Sequence, residues 1–207
     1  MANFYLFLTC ALMLAVCWRT STGSPVPTAT SLSADKCGEC SELSKALLRK
    51  ITELLNNEDL FTGVRRNAHP VVDRKGETAL VCAPSLAQHS SCATLSNTSF
   101  SESTCLENIM KDLTHYAAVL KSYKQISPKT EAALLDPTLK IIQSLLEKCS
   151  LTPAEEKESS EENIAQMWEG NRFDQRWKMY RVMKGFHIRT ITINRAMGYI
   201  SSGDHRN

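Results

Sequence analysis

The sequence predicts an all-α fold: four helices arranged up-up-down-down, joined by two long crossover loops and braced by disulfides. Two observations carry this. Four stretches, 39–56, 105–125, 128–149 and 164–200, repeat apolar residues at spacings of three and four, the period of one helix face. The connections between them run long, short, long. A short connection makes antiparallel neighbours, whereas a long one lets two successive helices run the same way; an up-down-up-down bundle needs three short loops and the chain offers one.

The first helix, 39–56, turns Leu43, Leu47, Ile51, Leu54 and Leu55 to one side, and Asn56-Asn57 ends it. Residues 61–104 then hold Gly63, Pro70, Gly76 and Pro84 with no sustained period. A connection of that length inside a compact domain needs a reason. A crossover running the length of a bundle, pinned by disulfides, supplies one, with Val71-Val72 and Leu80-Val81 as short strand-like pieces. The second helix places Leu106, Ile109, Met110, Leu113, Tyr116, Ala117 and Leu120 inward. Ser127 is a cap and Pro128 suits the first position of the third helix. That helix turns Leu135, Leu139, Ile142, Leu145 and Leu146 inward, and Pro137 should kink or divide it. Residues 150–162 are acidic and polar, a second crossover in which Thr152-Pro153-Ala154-Glu155 has the form of a capping box.

The fourth helix has two kinds of face. Met179, Val182, Met183, Phe186, Thr190, Ile193, Met197 and Ile200 make a core-facing stripe. The opposite side carries Arg181, Gly185, Ile188, Thr192, Arg195 and Tyr199, with Arg189 at its border, and no acid. A solvated face would be mostly Lys and Glu. Arg and aromatic residues are instead enriched in the buried centres of protein interfaces. One helix thus offers a face to its own bundle and a face to another protein. Gly170 and Asn171 interrupt its first turns.

Composition fits a single secreted domain. The chain has 207 residues, 43% of them hydrophobic, enough for one proper core. A net charge of +2 argues against nucleic acid and against a strongly acidic partner. The apolar run at 4–16 is short for a membrane span and leads to Ser21-Thr22-Gly23, the pattern of a secretory signal over 1–23. A Ser/Thr/Pro/Ala-rich stretch makes 24–36 a disordered tail, and 37–207 the folded domain. No later stretch approaches the length of a membrane helix, so no membrane insertion is expected. Six of the eight cysteines survive removal of the signal, and an even count in a secreted chain reads as disulfides. Asn97-Thr98-Ser99 is a glycosylation sequon.

Catalytic and metal sites find no support. Cys37-x-x-Cys40 lacks the β-α-β setting of a redox pair and lacks a second close pair for zinc. His69, His89, His115, His187 and His205 are scattered, with His115 and His187 on helix flanks. No metal, no cofactor and no enzyme activity are expected.

CLENIMKDLTHY at 105–116 and FHIRTITINRAMGYI at 186–200 resemble the interleukin-12 alpha family, the second very closely, and CSELSKALLR at 40–49 does so more weakly. The divergence is that of a non-mammalian vertebrate member. The resemblance implies a long-chain four-helix cytokine over 37–207. It would be secreted with a receptor-like beta chain and signal through interleukin-12-type receptor chains toward interferon-γ production. It also implies that the fourth helix docks the beta chain. Arg195 matches a family arginine that enters an acidic pocket on that partner; Arg189, Thr192 and Tyr199 match its neighbours, and Ile188 lies on the same face. Close competitors are the interleukin-23 alpha chain and interleukin-6-like stand-alone cytokines, against which the ITINRAMGY match argues. A secreted helical carrier of a small apolar ligand is the reading from another class, and it would leave Arg195 and Tyr199 without a task.

The resemblance bears on the cysteines too. Cys40 matches the family cysteine at the start of the first helix and Cys105 the one opening the second, which implies Cys82–Cys105. Cys92 fits two family cysteines, one bridged to the first helix and one to the beta chain. The former gives Cys40–Cys92 and leaves Cys37–Cys149, a pair that an up-up-down-down bundle would bring to one end. The latter links Cys92 to the partner and leaves one thiol over. The family's bridge from the first crossover to the fourth helix has lost both halves, with Tyr180 standing at the helix position.

Overall fold

Leu32 is the first buried residue among those described. The computed structural model describes residues 31–64, 69–71, 78–84, 100–151 and 161–204. The stretch 1–23 read as a secretory signal, Cys92, the Asn97 sequon and the Thr152 capping box lie outside them. In chain order the helices are α1 (Ala34–Leu55), α2 (Thr78–Val81), α3 (Glu102–Ile126), α4 (Lys129–Cys149), α5 (Glu161–Gln166) and α6 (Arg172–Ser202). No strand occurs among the described residues.

The first helix begins earlier than its periodicity suggests. Leu32 is buried and its N–H donates to Glu102 Oε1 at 2.9 Å. That docking puts Ser33 at the N-cap, and α1 opens at Ala34, inside the stretch read as tail. Leu80-Val81 is helical, not strand-like. Ser127 closes α3, and Pro128, in an extended conformation, is the N-cap of α4 and not its first residue. Pro137 does not divide α4. It is exposed, as is Ala133, so water can reach the carbonyl that the missing N–H leaves over.

The helix directions follow from three ties. Cys40 is bonded to Cys149, with Cα atoms 5.9 Å apart, so the first turns of α1 meet the end of α4. The short α3–α4 connection makes those two antiparallel neighbours. Ser44 Oγ donates to Asn194 Oδ1 at 3.1 Å, and Thr52 Oγ1 meets His187 Nε2 at 3.1 Å. Rising numbers on α1 therefore meet falling numbers on α6. α1 packs against α4 and α6, and α3 packs against the same two. Leu47 and Ile51 of α1, Ile109 and Leu113 of α3, Ile142 and Leu145 of α4, and Met183 and Phe186 of α6 are fully buried between them. Each contributes about 1.5–3 kcal/mol of burial.

The disulfides correct two expectations. Cys82 is bonded to Cys105, the pair the resemblance implied. Cys40–Cys92 and Cys37–Cys149 do not form, because Cys40 takes Cys149. The register of α1 presents Cys40 to the end of α4, while the buried Cys37 thiol turns to the Leu32 carbonyl at 3.7 Å. The Cys40–Cys149 bond spans 109 residues, which by loop-closure arithmetic is worth about 4–5 kcal/mol against the unfolded chain.

A polar cluster ties α6 in where α3 ends and α4 begins. Arg172 Nη2 lies 2.6 Å from Glu131 Oε2, and Tyr123 OH donates to the same oxygen at 3.2 Å. Burial, helped by the Glu131 charge, pushes the Tyr123 hydroxyl up to about 12.

Candidate functional site

The fourth helical stretch is broken where the sequence hinted. Gly170 has φ +117°, and the side chain of Asn171 caps α6 by accepting from the Asp174 N–H at 3.0 Å. Just before the break, Trp168 Nε1 donates to Ser122 Oγ at 3.1 Å and its ring meets Tyr123 edge-on. At the other end Gly203, φ +75°, ends the helix in the left-handed conformation. These ties fix the rotation of α6 about its axis.

Its inner stripe matches the sequence residue for residue. Met179, Val182, Met183, Phe186, Thr190, Ile193, Met197 and Ile200 are all buried. Phe186 stacks on Tyr116 of α3 with ring centroids 4.0 Å apart. On the α1 side, His187 and Asn194 are engaged by Thr52 and Ser44. His187 therefore serves a helix–helix contact.

The flank toward α3 differs from expectation. Gly185 and Arg189 were placed on or beside the outer face, and both are buried. Arg189 is 6% exposed, with its Nε 3.3 Å from Asp112 Oδ2. The hydroxyl of Thr78, on α2, donates to that same oxygen at 2.5 Å. Arg189 thus faces the bundle, because α2 folds over this flank. Sequence reasoning missed Asp112 and Thr78. The available signal was an acid on the edge of the α3 stripe, beside apolar Leu113 and Ile109.

The outer stripe remains. Its first half is covered: Arg181 Nε donates to the His69 carbonyl at 3.0 Å, and the Val71 N–H donates to the Arg181 carbonyl at 3.0 Å. The Arg181 guanidinium also stacks over Trp177, 4.5 Å from the ring centroid. Its second half is open. Ile188 is 45% exposed, Arg195 is exposed, and Thr192 and Tyr199 are half-buried. Tyr199 meets Phe100 edge-on, with centroids 5.0 Å apart, so Phe100, also missed from sequence, forms part of the rim. Arg195 has no ion-pair or hydrogen-bond partner among the described residues. The structure brings Ile188, Thr192, Arg195 and Tyr199 onto one surface and takes Arg189 off it. A planar guanidinium framed by an aliphatic and an aromatic side chain suits bidentate capture of a carboxylate.

No helix among the described residues is long and apolar enough to cross a membrane. None of the curated proteins matches this chain. The family model of the interleukin-12 alpha subunit matches residues 62–203, from the turn that follows α1 through the end of α6. The match covers well over half of the chain and includes every residue of the outer face, and the chain belongs to the interleukin-12 alpha subunit family.

Proposed function

We propose that the chain is the alpha subunit of a secreted heterodimeric cytokine and that the open half of the α6 outer face docks a receptor-like beta chain. The body is an up-up-down-down four-helix bundle of the long-chain cytokine type. Three antiparallel relationships support that reading: α1 with α4, α3 with α4, and α1 with α6. Residues 1–23 act as the secretory signal and Asn97 as a glycan acceptor. The heterodimer signals through interleukin-12-type receptor chains toward interferon-γ-driven immunity.

One observation carries the docking role. Arg195 is exposed between Ile188 and Tyr199, on a helix whose inner stripe is fully used and whose other outer cations are engaged within the chain. On association the Arg195 fork would lose water and meet a carboxylate in an apolar-rimmed pocket of the beta chain, fixing register and orientation. Co-secretion of the chain with an interleukin-12-type beta chain, followed by gel filtration, tests this. A stable complex is expected, and Arg195→Ala should cost about 2–4 kcal/mol of association. Efficient secretion of a monomer indifferent to the beta chain would overturn the reading and leave a stand-alone helical cytokine or a carrier.

A further inference from the structure

Leu80 is 63% exposed, the highest value among the exposed large hydrophobic residues described. It sits on α2, a helix of four residues, too short to persist alone. Two ties hold α2 in place. The Cys82–Cys105 bond fastens its end to the first turn of α3. The buried Thr78 hydroxyl donates to Asp112 Oδ2, which also receives Arg189 of α6. Thr78 is fully buried, so one side of α2 is sealed against α3 and α6 while Leu80 is held out to solvent. A covalent bond and a buried ion-pair network anchor a short segment whose largest apolar side chain is left uncovered.

Its placement relates Leu80 to the α6 face. At 100° per residue, Thr192 lies about 60° around the helix from Arg189, on the outward side. The flank that α2 covers is therefore the one next to Thr192. Phe100, which leads into α3 and touches Tyr199, borders the same side. The opposite border, toward α1, is occupied by His187 and Asn194 in contacts with Thr52 and Ser44. Beyond Thr192 the open face meets the flank where α2 and Asp112 enclose Arg189.

Resting on the docking role assigned to α6, we infer that α2 is part of the same docking surface. Leu80 is a second apolar contact for the beta chain, beside Ile188, and Arg189, Asp112 and Thr78 are the positioning residues that hold it there. The beta-chain surface this fits has a carboxylate opposite Arg195 and an uncharged apolar area opposite Leu80. A charge at position 80 would then be desolvated without a partner.

The test uses the full chain co-expressed with an interleukin-12-type beta chain, with affinity measured on purified subunits. Leu80→Asp should weaken association by roughly tenfold or more. Its thermal unfolding should stay unchanged, since the side chain is exposed in the isolated subunit, and Leu80→Met should bind like the parent. Wild-type affinity of Leu80→Asp alongside weakened binding of Arg195→Ala would overturn the inference and leave the α6 role standing. Wild-type affinity of both variants would overturn the two together.

Discussion

The outer stripe of α6 is a single line of side chains whose two halves meet different surroundings. From Trp177 to Arg181 the chain satisfies the stripe itself. Lys178 donates to the Glu169 carbonyl, and Arg181 stacks on Trp177 and donates to the His69 carbonyl. From Ile188 to Tyr199 nothing described lies over the stripe except Phe100 at its edge. The residue types are alike in both halves, Arg with aromatics and no acid beyond the first turn. What separates them is where the first crossover runs. A basic, aromatic face is closed within the subunit in one half and left for another molecule in the other.

The largest effect is expected between the halves. Asp112→Ala takes from the buried Arg189 the carboxylate that its Nε meets, and should cost about 3–5 kcal/mol of stability in denaturant unfolding. A loss under about 1 kcal/mol would mean that Arg189 reaches water and that the α2 flank is loosely sealed. Next comes Arg195→Ala, with the association loss given above but a change in stability within about 0.5 kcal/mol. Comparable losses in both would erase the distinction between open and closed halves. Arg181→Ala should show the reverse, about 1 kcal/mol less stable by loss of the stacked contact, with association unchanged. The smallest effect is confined to alkaline solution. Tyr123 has a folded-state pKa of about 12 against 10.0 ordinarily, so it holds its proton more tightly when folded. Its contribution is fully present below pH 10 and is lost as the pH rises through about 12. In Tyr123→Phe this fall should be missing, as seen by unfolding measured across that window.

The inner stripe of α6 was legible because period alone determines it: eight residues at spacings of three and four, all buried. The same holds for Leu47, Ile51 and Leu54 of α1 and for Leu135, Ile142 and Leu145 of α4. Arg189 and Gly185 were misplaced because a helical wheel describes one helix by itself. The burial of Arg189 depends on Asp112 of α3 and on Thr78 of α2, which no wheel of α6 contains. The opening of α1 was missed for the same reason, since it depends on Leu32 docking at Glu102. Counting cysteines could not choose between Cys37 and Cys40 as the mate of Cys149, because that choice turns on about one helical turn of register. Of the candidate face, Ile188, Thr192, Arg195 and Tyr199 were readable in one helix, while Phe100 and Leu80 come from the crossover, where no period exists to read.

The two disulfides among the described residues also fix covalent topology. Cys40–Cys149 encloses most of α1, together with α2, α3 and α4, in one ring, and Cys82–Cys105 closes a smaller ring within it. α6 contains no cysteine and lies beyond both rings. A peptide bond cut inside the large ring leaves the pieces joined through sulfur. A cut between Cys149 and Arg172 leaves α6 attached by packing alone, so denaturant without any reductant can strip it away. The helix with the open face is thus the one long helix that a single hydrolysis can separate from the rest of the molecule.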